Sequence, residues 1–178
     1  MRYILLSAMV LLSIATYAQE VAPAKQPTAT KSNKVSASSR REARKAAFAA
    51  NISRLIESRN YLFRPITMQN IVSGNTHNIF AYYLYVGVDG DKLTMHLPVE
   101  FTSFVINTVN LDTYIEEYKA TLTEGNWRIT FSFMNGTERW FAEYFISTIT
   151  GQARLAIVTP RGVMRYLGTI EKASLKNY

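Results

Sequence analysis

The chain has no cysteine in its 178 residues. That excludes a disulfide framework, a Cys-ligated zinc site, a thiol nucleophile and a lipid-modified N-terminal cysteine. Only two histidines are present, His77 and His96, which is too few for a histidine-dominated metal centre. Neither Gly-x-Ser-x-Gly nor His-Glu-x-x-His occurs, so neither a nucleophile elbow nor a zincin helix is signalled. Asp89-Gly90-Asp91 lacks the remaining oxygen positions of a calcium loop and is read as a turn. These absences leave no catalytic residue, no metal and no cofactor to assign, and the expectation is a protein that is not an enzyme. Long apolar runs are also missing outside the N-terminus, so no segment of the mature chain is expected to span a membrane as a helix.

The N-terminal run itself is short. Arg2 precedes an apolar stretch from Ile4 to Ile14, and Thr16-Tyr17-Ala18 is a small-x-small site before Gln19. Eleven residues fall well below the roughly 20 that a spanning helix needs, and the pattern is that of a secretory signal peptide over residues 1–18. The expected location is therefore exported, either periplasmic or at the cell surface. Residues 19–38 are rich in Ala, Pro, Thr, Ser and Lys, with Val21 and Val35 the only large apolar side chains. Too little apolar surface is available there to offset the entropy of ordering, so this stretch reads as a flexible basic linker. Residues 39–178 are left as a single domain.

Charge is unevenly placed. Gln19 to Arg59 carries nine Lys/Arg against three Asp/Glu, whereas Asn60 to Tyr178 carries ten of each; with Arg2 this restores the formal +7. The basic character thus belongs to the linker and the first helix. It suits contact with an anionic surface, or simply a solvated helix face. Nucleic acid is not expected as a partner, because the aromatic residues are not interleaved with the basic cluster.

One helix is expected, opening at Ser39-x-x-Glu42, a capping-box spacing, and ending near Ser58–Asn60. Phe48, Ile52, Leu55 and Ile56 form its apolar stripe. Arg40, Arg41, Arg44 and Lys45 crowd its first turns, where the helix dipole disfavours cations. Such a helix depends on docking.

Everything after it has strand character. Extended runs are expected at Tyr61–Gln69, Ile79–Val88, Lys92–Val99, Tyr114–Thr123, Trp127–Met134, Glu138–Ile149, Gln152–Thr159 and Val163–Glu171. Tight turns separate most of them: Asp89-Gly90-Asp91, Glu124-Gly125-Asn126, Asn135-Gly136, Thr150-Gly151 and Pro160-Arg161-Gly162. The fold class is mainly β (α+β). An N-terminal helix packs on an antiparallel meander of about eight strands, forming either a curved sheet or a lipocalin-like barrel. The lipocalin comparison rests on Gly125-x-Trp127, with Arg165 as the arginine that would pack on the indole. Glu100–Thr113 stands apart as a long apolar connection that must cover the core, act as a lid or form another strand.

Several residues together resemble a known family. Asn60-Tyr61-x-Phe63 opens the β region, and Asp89-Gly90-Asp91 with Leu97-Pro98 makes a hairpin. Glu117-Tyr118-Lys119, Gly125-Asn126-Trp127-Arg128-Ile129-Thr130-Phe131, Gly151-Gln152-Ala153-x-Leu155 and Tyr166-Leu167-Gly168-x-Ile170 follow in order. Residues 40–172 resemble an exported family found mainly in Bacteroidetes and described only as a domain of unknown function, type 4251. The 100–113 connection departs from its pattern, with Phe, Val and Ile in place of glycine. The resemblance implies an envelope location and this fold type, and it implies no reaction.

Aromatic residues supply the candidate site. Glu138–Ile149 puts Trp140, Tyr144 and Ile146 on one face and Phe141, Phe145 and Ile149 on the other, while Tyr82, Tyr83 and Tyr85 sit on the second run. Aromatic strands with two apolar faces either lie between packed layers or present a binding surface. Tyr83, Tyr85, Trp140 and Tyr144 are the candidate ligand-binding residues, for a small apolar or glycan-like ligand. The alternative is a protein-interaction module of an envelope assembly, with another envelope protein as partner. A hydrolase-type enzyme, built on carboxylate pairs such as Glu116/Glu117 and Glu138/Glu143, ranks third.

Overall fold

A computed structural model describes residues 37–69, 74–101 and 106–173; the signal peptide and nearly all of the linker expected from the sequence lie outside the described residues. Its elements are one helix, α1 (Ala37–Glu57), and nine strands. In chain order the strands are β1 (Asn60–Gln69), β2 (Thr76–Asn78), β3 (Tyr85–Asp89), β4 (Lys92–Phe101), β5 (Ile106–Thr123), β6 (Asn126–Asn135), β7 (Glu138–Ser147), β8 (Gln152–Thr159) and β9 (Gly162–Lys172).

All pairings are antiparallel, and β1 also pairs with β9. The ladder β1-β3-β4-β5-β6-β7-β8-β9 therefore returns to β1 as a closed eight-strand barrel, with the three-residue β2 added alongside the end of β1. Closure resolves the choice between a curved sheet and a barrel, and it removes the unpaired edges that a meander would expose. Three register shifts interrupt the ladder, one of them in β4 between Pro98 and Glu100. In β5 the register shifts between Glu116 and Lys119, with Glu117 in the left-handed region at φ 55°. That bulge turns one 18-residue strand from pairing with β4 over its first half to pairing with β6 over its second. In β1 the register against β9 shifts between Pro65 and Thr67. There Gly168 packs so tightly on the Arg64 carbonyl that no side chain would fit.

The helix starts at Ala37, two residues before the expected cap at Ser39, and ends at Glu57. Its first three turns are exposed and only Ile52, Leu55 and Ile56 are buried, which fits a cation-rich start held in place by its C-terminal third. That third sits over one end of the barrel. Phe48 and Ile52 contact the Gly151 turn, and the Trp127 indole N–H donates to Ser53 Oγ at 3.1 Å. Arg59, left-handed at φ 49°, reverses the chain into β1 and accepts the Gly90 N–H on its carbonyl. Its guanidinium pairs with Asp91 at 2.5 Å and lies 4.4 Å from the Tyr118 ring centroid.

Two stretches differ from the sequence expectation. The run read as Ile79–Val88 is two strands, β2 and β3, separated by residues 79–84. Opposite this gap β1 carries Pro65, which has no N–H to offer a ladder, and the adjacent bulge. The apolar 100–113 connection is strand over most of its length, since β4 runs to Phe101 and β5 starts at Ile106. Val109 and Leu111 pack on the core from β5, so the requirement for apolar residues there comes from the barrel interior.

Candidate functional site

The barrel interior is packed with rings. Tyr144 meets Tyr61, Phe63 and Phe131 at centroid distances of 6.1, 5.7 and 6.1 Å, and Phe133 meets Trp140 at 6.1 Å. Between Val86, Leu93, Met95, Phe131, Phe133, Tyr144 and their neighbours, the remaining space is too small to hold a water molecule. At this place the barrel is a core and offers no ligand chamber, in contrast to barrels that enclose a ligand.

The four candidate residues consequently divide into two pairs. Trp140 and Tyr144 face inward and are buried, the Trp140 N–H reaching Glu138 Oε2 at 3.2 Å. Burial pushes the Tyr144 hydroxyl well above its ordinary range. Tyr83 and Tyr85 lie outside the barrel on either side of His96. The Tyr83 ring meets the imidazole edge-on at 5.5 Å, and Tyr85 stacks on it at 6.5 Å with 22° between the planes. The structure does not bring the two pairs together.

The expected Ile79–Val88 strand includes Tyr82 and Tyr83, and nothing in the sequence singles out Phe80. All three stand on the 79–84 excursion, where Phe80 is 84%, Tyr82 91% and Tyr83 55% exposed, while Ile79 and Leu84 anchor its ends in the core. The Ile79 N–H donates to the Ile66 carbonyl at 2.7 Å. Arg64 on β1 holds the middle: its Nε binds Glu171 at 2.7 Å, an Nη–H donates to the Tyr82 carbonyl, and its guanidinium lies 5.8 Å from the Tyr85 ring. An aromatic cluster on a braced backbone is a preorganised surface. No sequence signal distinguished Phe80 and Tyr82 from strand residues, because the interruption is imposed by the neighbouring bulge in β1.

A second surface lies on the far side of the wall. Outward-facing Phe141 and Phe145 on β7, Val158 on β8 and Leu167 on β9 are all exposed. Beside them runs an open groove of about 620 Å³ lined by Asn126, Arg128, Phe145, Gln152, Arg154 and Leu167, among others. The alternation of β7 made Phe141 and Phe145 legible as one face. Their alignment with Arg128 and Arg154 depends on strand pairing.

Three of the four carboxylates named for catalysis are engaged, and the fourth, Glu117, is exposed at the β5 bulge. Glu116 pairs with Arg139 at 2.9 Å, Glu143 with Arg128 at 2.7 Å, and Glu138 accepts the Trp140 N–H. Asp91 pairs with Arg59, and Asp89 accepts from Asn60 at 3.4 Å. His96 touches two tyrosine rings, and among the described residues no carboxylate bonds to it. Among the described residues no group of three His, Asp or Glu could hold a metal ion, and no helix is long and apolar enough to cross a membrane. Arg165 faces outward and Trp127 pairs with Ser53, so the lipocalin-type Arg–Trp contact is not made.

Comparison with known proteins fits this architecture. The sequence profile of a family described as "Domain of unknown function (DUF4251)" matches residues 43–170. The chain belongs to the DUF4251 family. A crystal structure of a DUF4251 family protein from Bacteroides eggerthii is similar to it, with a TM-score of 0.63 at 14% identity, covering 76% of this chain and 95% of that one. At that identity the likeness shows the shared fold. No curated protein matches the sequence. For this DUF4251 protein, membership names no enzymatic activity and no ligand, so function has to be argued from its surfaces.

Proposed function

We propose that this DUF4251 protein is an exported, non-enzymatic binding domain of the bacterial envelope that takes a glycan-like ligand on the outside of its barrel. Residues 1–18 direct export, residues 19–36 tether the barrel ahead of α1, and the basic charge of the tether and helix adds contact with an anionic surface. The observation that carries this reading is the clustering of Phe80, Tyr82 and Tyr83, highly exposed, on a backbone braced by Arg64. Rigid rings give contact area at low entropic cost, and their faces suit the C–H faces of sugars. Among the described residues, the close packing around Phe131, Phe133 and Tyr144 supports a surface ligand over an apolar one held inside. Of the four candidate residues, Tyr83 and Tyr85 touch the ligand; Trp140 and Tyr144 pack the core beneath the wall.

The test is calorimetric titration of neutral hexaoses (cello-, malto- and xylo-series) into the wild-type protein and a Tyr82→Ala/Tyr83→Ala variant. Both side chains are exposed, so circular dichroism should be unchanged. Saturable binding of one series, weakened at least about tenfold in the variant, is the expected result. If no sugar binds and an envelope protein co-purifies in a manner that depends on Tyr82 and Tyr83, the surface serves a protein partner instead.

A further inference from the structure

We infer that the groove on the β6–β9 wall is a second binding site, specific for a carboxylate-bearing sugar of the uronic-acid type. It lies about four strands around the ring from the Tyr83–His96–Tyr85 cluster and rests on different residues. Strand register builds it. Arg128 on β6 is paired with Phe145 on β7, Phe145 with Arg154 on β8, and Arg154 with Leu167 on β9, so two guanidinium groups flank one exposed ring in a single row. Arg128 lies 5.7 Å from the Phe145 centroid and is held by Glu143, which fixes that side of the ring. Arg154 has no carboxylate partner among the described residues, and no carboxylate lines the groove. The Arg154 guanidinium is thus left to solvent and open to an anionic ligand.

Three properties select the class. The Phe145 face and Leu167 provide an apolar floor for a pyranose ring, and Arg154 offers a planar fork for a carboxylate. Asn126 and Gln152 at the rim supply amide donors and acceptors suited to hydroxyl groups. The volume of about 620 Å³ falls within the roughly 300–1,000 Å³ of small-ligand sites. A peptide is less suited. An extended peptide adds to a sheet edge, and the backbone groups of β6, β7 and β8 are already paired on both sides. The chain's own N-terminal segment is disfavoured as occupant because it brings Lys25, Lys31 and Lys34 toward two arginines.

The test titrates trigalacturonate, maltotriose and triglutamate at low salt into the full chain produced in its own host and carrying Tyr82→Ala/Tyr83→Ala, which removes neutral-sugar binding at the first surface, alongside the same chain with Arg154→Gln or Phe145→Ala added. Both added substitutions replace solvent-exposed side chains. Saturable binding of trigalacturonate is expected, with no measurable maltotriose binding at the same concentrations. Arg154→Gln should weaken it at least about tenfold and Phe145→Ala several-fold, and higher salt should weaken binding to the parent chain. Unchanged affinity in Arg154→Gln, or equal binding of maltotriose, overturns the site. Equal binding of triglutamate overturns the sugar class. Since the neutral hexaoses probe Tyr82 and Tyr83 separately, failure here leaves the aromatic-surface reading standing.

Discussion

Replacing Gly168 with alanine tests the closure of the barrel. Gly168 sits on β9 opposite Pro65, at the β1 bulge where the first and last strands of the ring meet. A Cβ there would lie 2.0 Å from the Arg64 carbonyl oxygen and 2.8 Å from both its carbonyl carbon and Phe63 Cε2. Ordinary carbon–oxygen contacts begin near about 3.3 Å, so the two strands would have to part by more than about 1 Å. The closest obstacle is backbone, which cannot rotate away as a side-chain tip can. Overpacking alone costs about 1–3 kcal/mol, and each ladder hydrogen bond stretched by the separation adds about 1 kcal/mol. The expected total is about 3 kcal/mol or more, a fall in Tm of about 10 °C for a domain of this size. Urea unfolding followed by the fluorescence of buried Trp127 and Trp140 measures it directly. Gly136→Ala serves as the comparison: Gly136 has φ 64° but open space around it, so only the left-handed strain of about 1 kcal/mol applies. A Gly168→Ala variant within 0.5 kcal/mol of wild type, or one no worse than Gly136→Ala, would refute the tight β1–β9 seam.

Two buried tyrosines should respond in opposite ways to loss of their hydroxyl. The Tyr144 hydroxyl is buried without a partner, so Tyr144→Phe should be neutral or stabilise by up to about 1 kcal/mol, whereas Tyr166 donates to the Pro98 carbonyl at 2.6 Å and Tyr166→Phe should cost about 1–2 kcal/mol; urea midpoints that move the same way for both would contradict this. Alkaline pH should unfold the barrel cooperatively. Burial pushes the hydroxyls of Tyr61, Tyr118, Tyr144 and Tyr166 above their ordinary range. The folded state therefore keeps these protons longer than the unfolded chain, and their contribution, intact below the unfolded value of about 10, is lost as pH rises beyond it. The phenolate absorbance contributed by these four should then appear together with loss of near-ultraviolet circular dichroism, and titration of all tyrosines in a still-folded protein would count against it.

Much of the barrel was legible in local pattern. Turn chemistry at Asp89-Gly90-Asp91, Glu124-Gly125 and Asn135-Gly136 placed three hairpins where they occur, because left-handed backbone admits few residue types. Alternation in β4 and β6 identified Leu93, Met95 and Leu97, and Ile129, Phe131 and Phe133, as inward residues, and all six are buried. The apolar 100–113 segment was harder, since one apolar run suits a lid, a cover or a strand equally. Only pairing with β4 on one side and the bend at Glu117 made it the start of β5.

The candidate site was less legible for the same reason. Sequence by itself determined which residues could be aromatic contacts, that β7 carries rings on both faces, and that the helix depends on docking. These follow from periodicity and composition, which act within a few neighbouring residues. Tertiary structure decided that Trp140 and Tyr144 fill a closed core, that Tyr83 and Tyr85 flank His96 outside it, and that Phe80 and Tyr82 project from an interrupted strand. It also aligned Arg128, Phe145 and Arg154 in one row. Register between strands sets these juxtapositions, and the barrel had to close before inside and outside were defined at all.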